Sequence, residues 1–418
     1  MTPSTAEMPL DPPDERVDSE APVRFIPGDA VEEAPREGIA LCLSGGGYRA
    51  MLFHLGTLWR LHELGYLGQL TRVSSVSGGS ITAAVLGLAW GRLELDSGGS
   101  NEVFKEEVVK PIRKLAGKTI DTPSVLAGGL LPGTTIGDRI AAAYRSHLLG
   151  DATLQDLPGE EGPRFVINAT NLQSGVLWRF SRPYMRDYRV GKIEWPQLSL
   201  ATAVAASSAF PPVLCPMRLR FDEDQYVPRT GDDLQRPPFT TNPTLGDGGI
   251  YDNLGLETAW KRCKTVLVSD GGGAMPADCG KLGPLPNWRW RDWGSQTVRV
   301  LKVVDNQVRS LRKRQAIAGY KATQGSKEHR EGTYWGIRGH VADYELGSSL
   351  PAPPKETRKL AEVPTRLAKL DDATQERLIN WGYAICDTAM RRWVVGENAG
   401  KPQWPYQENA LGVSSGSD

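Results

Sequence analysis

The sequence predicts an α/β fold, with a largely parallel sheet covered by helices on both faces. Three observations carry this expectation. Short apolar runs, Ile39-Ala40-Leu41-Cys42-Leu43 and Val266-Leu267-Val268 among them, read as strands buried on both sides, the habit of parallel sheets. Helical patterns alternate with such runs, as crossovers between parallel strands require. Two of the strand-to-helix turns, Ser44-Gly45-Gly46-Gly47 and Ser77-Gly78-Gly79, consist of serine and glycine, so the backbone can double back tightly there.

Taken in order, residues 1–36 are acidic and rich in proline and read as an extended or disordered arm. Met51, Leu52, Leu55, Leu58, Leu61 and Leu64 recur at helical spacing after the first strand, and Gly65 stands where a left-handed cap would end that helix. Thr71 to Val76 reads as the second strand, and Gly78 to Trp90 as a buried second helix. Glu102 to Lys110 reads as an amphipathic helix broken or kinked at Pro111, and Ile136 to Leu149 as another. The glycine- and proline-rich 126–135 between them suggests a mobile cover. Arg164 to Leu172 reads as a strand leading into a hairpin with 176–180, and Leu198 to Ala206 as an alanine-rich helix. The polar 216–243 reads as irregular. Thr265 to Ser269 is a further buried strand, 295–320 a long helix, Thr333 to His340 a late strand and Asp372 to Val394 a C-terminal helix. No internal repeat appears, and one elaborated domain accounts for these elements better than two.

The chain carries 49 basic and 49 acidic residues, so no overall field draws it to nucleic acid or to an anionic membrane. Five scattered cysteines, none spaced C-x-x-C, argue against a disulfide framework or structural zinc and fit a reducing compartment. The start of the chain lacks the basic and apolar regions of a secretory signal, and no apolar run approaches the roughly 18 residues of a membrane span. A cytoplasmic protein is expected, with any membrane contact peripheral at the inner surface.

Ser77 is the candidate nucleophile. Between a strand and a helix, a serine flanked by small residues is held in a strained turn with its hydroxyl exposed above the sheet edge. Here the small neighbours are Ser75, Gly78 and Gly79, with Ser75 where the first glycine of G-x-S-x-G usually stands. The N–H groups of Gly46 and Gly47, with that of Gly78, could hold a tetrahedral oxyanion; one such donor contributes roughly 3 kcal/mol to the transition state. The competing reading of the glycine loop, a dinucleotide turn, requires an acidic residue at the end of the next strand, where Ser74-Ser75-Val76-Ser77 stands instead. For the base, His54 and His62 lie inside the first helix and read as structural; His329 or His340 would suit a triad by chain order alone. Asp247, in Gly246-Asp247-Gly248-Gly249, is the better candidate if burial raises its pKa. Taken singly, each turn could also be an ordinary Ser/Gly or Asp-Gly turn.

In this order the segments SGGGYRA, SVSGGS and GDGGIYDN resemble those of the patatin-like phospholipase superfamily, and the first leans towards its cytosolic phospholipase A branch. Ala205-Ala206-Ser207-Ser208-Ala209-Phe210-Pro211 is similar to that superfamily's A-x-S-x-A-x-P block. The resemblance spans about Gly38 to Ser269. It implies a three-layer α/β/α sandwich and a catalytic dyad of Ser77 and Asp247. It also implies an oxyanion hole lined by Gly45, Gly46, Gly47 and Gly78, and an Arg49 that meets the substrate phosphate or supports the loop. The domain would then run from 37 to 395, with insertions near 91–163 and 214–243 and a flexible tail over 396–418.

The expected activity is hydrolysis of carboxylic esters in phospholipids or lysophospholipids. Alternatives are a neutral-lipid esterase with the same dyad, or a phospholipase effector gated by a signal, as some relatives in bacterial defence are. No metal or cofactor is expected, since the chain has neither an EF-hand signature nor length for an added C2-type module. No nucleic acid is expected as a partner. Trp288-Arg289-Trp290-Arg291-Asp292-Trp293 suits either a bilayer interface or packing within the protein, and Arg309 to Arg314 either a solvated helix face or lipid headgroups.

Overall fold

A computed structural model describes residues 35–93, 95, 101–121, 135–211, 214–273 and 289–412, all within a compact unit that begins at Pro35. The expected cover over 126–135 lies outside them, apart from Thr135, as does nearly all of the N-terminal arm.

The parallel half of the sheet has five strands in the order β11 (Glu331–Gly336), β10 (Cys263–Asp270), β1 (Arg36–Leu43), β2 (Leu70–Val76) and β3 (Arg164–Asn171). Alternation along β1 shows how it is covered. Leu41 and Leu43 join the larger core, while Ala40 and Cys42 face a smaller one. On the first face lie α1 (Gly47–Glu63) and α2 (Gly78–Ala89). On the other lie α7 (Leu256–Trp260) and part of α8 (Arg289–Lys321), whose Ala316 is buried against β10 residues. These are the three layers.

Nearly all of α1 is buried, because α10 (Asp372–Trp393) crosses its outer side. The helices meet at glycines: a Cβ on Gly56 would fall 1.9 Å from the Ile379 carbonyl oxygen, and one on Gly382 would fall 1.8 Å from that of Phe53. Gly65 ends α1 with φ 66°, and Tyr66 N–H reaches back to the Leu61 carbonyl at 2.8 Å, closing a Schellman cap.

Three differences from expectation have clear causes. The helix around Pro111 runs unbroken from 101 to 116, because residues Lys105–Val109 take a π turn that absorbs the missing donor. Beyond β3 and its expected hairpin partner β4 (Leu177–Phe180), the sheet continues antiparallel through β5 (Tyr184–Asp187), β6 (Gly191–Glu194) and β8 (Tyr226–Val227), short strands with little apolar signal, while β7 (Met217–Arg218) pairs with β9 (Thr244–Asp247). The described part of the expected tail packs on α10: Trp404 and Leu411 are buried, and Asn380 donates to the Tyr406 and Asn409 carbonyls.

Candidate active site

Sheet register brings Ser77 and Asp247 together. Val76, the last residue of β2, stands opposite Asn168 of β3. One residue further along the same edge of β3, Ala169 is opposite Asp247, which ends β9 (Thr244–Asp247). β9 thus takes over the edge where β2 leaves it, and its last residue meets the first residue past β2.

Ser77 has φ 51° and ψ −118°, a conformation that serine adopts only when its surroundings impose it. Its N–H donates to the Ser207 hydroxyl at 2.9 Å, and Ser207 in turn donates to the Asn168 carbonyl at 2.6 Å. Ser207 closes α5 (Leu200–Ser207), and the following turn holds the other partner as well. Asp247 N–H donates to the Ala209 carbonyl at 2.8 Å, and Gly248 N–H to that of Ser207 at 3.3 Å. The 205–211 block is therefore the frame that fixes the two candidate catalytic residues.

The Asp247 side chain is buried, and that burial raises its pKa to about 7. Hydrogen bonds from Gly249 N–H, at 2.7 Å, and from the Ser77 hydroxyl oppose the rise, while the negative charge of Asp305 adds to it. A carboxylate in contact with a strained serine hydroxyl, with a pKa near neutrality, can act as a general base.

The glycine loop packs directly on this pair. A Cβ on Gly45 would lie 3.2 Å from that of Ser77, and one on Gly78 would lie 2.2 Å from the Gly47 carbonyl oxygen. Among the described residues the N–H groups of Gly46, Gly47 and Gly78 have no acceptor. Gly45 differs from the expectation for it: its N–H is taken by the Asn253 side chain at 2.9 Å and the Asn253 carbonyl at 3.1 Å. It lines the turn without donating to it.

Arg49 supports the loop. Its guanidinium is buried and donates to the Gly271 carbonyl at 3.2 Å, the Thr365 hydroxyl at 2.9 Å and the Val363 carbonyl. Burial, then the nearby Arg309, lowers its pKa to about 10, so it remains charged. Of the two roles implied for Arg49, loop support is the one its contacts serve. His54 belongs to the same frame. Its Nε2–H donates to the Ser44 carbonyl at 2.9 Å, leaving Nδ1 to accept from Ser269 at 2.8 Å. Burial holds its pKa near 4, so the ring is neutral.

His329 lies just before β11, at the opposite edge of the parallel sheet from the turn after β2, and accepts no role at Ser77. His340 follows β11, which is separated from β2 by β10 and β1. Trp288 and the side chains of 289–293 lie outside the described residues. The cations of 309–314 are not simply a solvated face: Arg309 pairs with Asp270 at 3.5 Å and Arg312 with Glu257 at 2.9 Å.

Two residues of the site escaped the sequence reading. Asn253 links the glycine loop to α8, since its Nδ2 donates to Asp305 at 2.8 Å. Only the closeness of Asn253 to the Gly-Asp-Gly-Gly turn hinted at it; nothing marks Asp305. Replacing Asp305 by asparagine keeps an acceptor for Asn253 and removes one negative charge. The Asp247 pKa should then fall, and the acid limb of the pH–rate profile should move to lower pH, while the variant keeps the wild-type circular dichroism. An unmoved limb would show that Asp305 has no electrostatic part.

The family model for patatin-like phospholipase matches residues 41–260, more than half of the chain. The chain belongs to the patatin-like phospholipase family. Among solved structures, the human GIVD cytosolic phospholipase A2 is similar with a TM-score of 0.52 at 14% identity, covering 85% of this chain and 61% of that one. VipD from Legionella pneumophila is similar at a TM-score of 0.37 and 16% identity, covering 86% of this chain and 68% of that one. The first likeness supports the patatin-like mixed α/β fold with its large, mainly parallel sheet. This patatin-like chain spans about three-fifths of the length of the cytosolic phospholipase. No curated protein matches it. Among the described residues of this family member, no helix is long and apolar enough to cross a membrane.

Proposed function

We propose that this protein is a lipid acyl hydrolase that cleaves carboxylic esters of phospholipids or lysophospholipids through a Ser77–Asp247 dyad. Membership of the patatin-like family supports hydrolysis of lipid esters. The single observation that carries the finer reading is a strained Ser77 set against a buried Asp247, whose pKa burial raises to about 7 against the opposing pull of the Ser77 hydroxyl.

In this reading Ser77 Oγ attacks the ester carbonyl carbon as its proton passes to Asp247. Negative charge that gathers on the carbonyl oxygen is met by the N–H groups of Gly46, Gly47 and Gly78. The ester C–O bond breaks, and the departing alkoxide takes the proton from Asp247. Water then gives a proton to Asp247 and attacks the acyl carbon; the bond to Ser77 Oγ breaks as Asp247 returns that proton to Oγ, which releases the fatty acid and restores both residues. The elbow turn, which helps to hold α2 at the glycine loop, keeps the donors in place before substrate arrives. No step calls on histidine.

Headgroup and chain-length panels test the substrate class. Purified protein in a chelator should release fatty acid from phosphatidylcholine or lysophosphatidylcholine faster than from triacylglycerol or a short-chain ester. The reverse order would replace the phospholipid reading with the neutral-ester one. Peripheral contact with a bilayer and an inner-surface location belong to the same proposal, because the substrate is presented there.

A further inference from the structure

A cavity of about 720 Å³ opens between α8 and the β10–β11 pair, apart from the dyad. Its volume falls within the range of small-molecule sites, about 300–1,000 Å³. Among the described residues its walls carry five lysines and arginines against three carboxylates, within a chain whose charges otherwise balance. The imbalance is concentrated. Arg309 meets Asp270 at 3.5 Å, but Lys313 and Arg338 have no carboxylate within ion-pair distance among the described residues. Lys313 instead rests over the Tyr334 ring at 4.5 Å. Burial disfavours the Lys313 charge most; Asp270 favours it, Arg309 and Arg338 add to the disfavour, and Asp343 contributes least. Three cations held around one wall of a cavity suit a compact anion of high charge.

We propose that this cavity binds a phosphate group, on a soluble small molecule or on a lipid headgroup, through Lys313 and Arg338 with Arg309 behind them. A phosphate monoester carries about 1.5 to 2 negative charges, matching the local excess. The exposed ring of Trp393, on the rim, offers a flat surface to whatever bears the phosphate. The position gives such a ligand a route to the glycine loop. Arg309 also donates to the Gly273 carbonyl at 3.2 Å, and neighbouring Gly271 N–H donates to the Ser44 hydroxyl at 2.8 Å. A phosphate that drew Arg309 away from Asp270 would therefore release the strap on which the loop and Arg49 rest.

Binding is read without turnover, so this proposal stands or falls apart from the hydrolase reading. The whole protein is titrated calorimetrically with pyrophosphate at constant ionic strength. In parallel it is sedimented with phosphatidylcholine vesicles containing phosphatidic acid or, at matched charge, phosphatidylglycerol. Saturable pyrophosphate binding assigns a soluble phosphate. Binding only to phosphatidic acid vesicles, above the phosphatidylglycerol level, assigns a headgroup. In either case Lys313→Gln with Arg338→Gln should weaken binding by roughly tenfold or more. Both side chains are exposed, so the fold should survive; Arg338→Gln alone provides the comparison if the pair does not fold. No binding in either arm, or equal binding by the variants, overturns the proposal.

Discussion

Replacing Ser77 by alanine is expected to lower turnover by at least about 10⁴-fold without loss of the fold. The nucleophile has no substitute within the turn: Ser75 and Ser80 are buried and hydrogen-bond to each other at 3.1 Å, and Ser74 donates to the Gly255 carbonyl at 2.6 Å. The substitution removes the hydroxyl but keeps the backbone bond from residue 77 to Ser207, so the elbow keeps its frame. Stability should change little, since the left-handed region is as strained for alanine as for serine. Turnover within about tenfold of wild type, measured as fatty-acid release, would exclude Ser77 as nucleophile.

Asp247→Asn is the second large effect, and it should act in opposite directions on activity and stability. An asparagine cannot take the Ser77 proton, so turnover should drop roughly 10²- to 10⁴-fold, and the acid limb near pH 7 should vanish. For stability the sign follows from where the proton is held. The folded-state pKa of about 7 lies above the value near 4 of an unfolded aspartate, so the folded protein binds the proton more tightly. Stability is therefore lost as pH rises from about 4 to about 7, by up to roughly 4 kcal/mol. Asparagine carries no charge to bury. The variant should match the wild type in denaturant unfolding near pH 4, and exceed it near pH 8. A variant less stable than wild type at pH 8 would contradict the burial cost assigned to Asp247.

Such a gain on removing a residue is what a site maintained against stability looks like. The same reasoning explains which parts of the molecule were legible from the sequence. The turns at 44–47, 77–79 and 246–249 stand out because tight backbone approach admits almost nothing but glycine and serine. A Cβ on Gly79 would sit 2.3 Å from the Leu43 carbonyl oxygen, and one on Gly248 would sit 2.4 Å from that of Asn168. The parallel strands were legible for a related reason, since burial on both faces leaves an unbroken apolar run. Asp305 was not legible, because a carboxylate inside a charged helix looks the same whether it faces water or Asn253. Short antiparallel strands such as β6, Gly191–Glu194, bury only alternate residues and carry charge on the rest, so they read as loop. Arg49 was visible as part of the motif, but its burial under 363–365 depends on a segment more than 300 positions away. Long-range partners of this kind leave no local pattern.

The most direct test of the account is the covalent capture of Ser77. A fluorophosphonate probe forms a bond to an activated serine oxygen with loss of fluoride, and peptide mapping by mass spectrometry then locates the adduct. The account predicts a single adduct on Ser77. Labelling should be absent in Ser77→Ala, greatly slowed in Asp247→Asn, and faster in wild type as pH rises through about 7. An adduct on another residue, or full hydrolytic activity in protein that the probe leaves unlabelled, would contradict it.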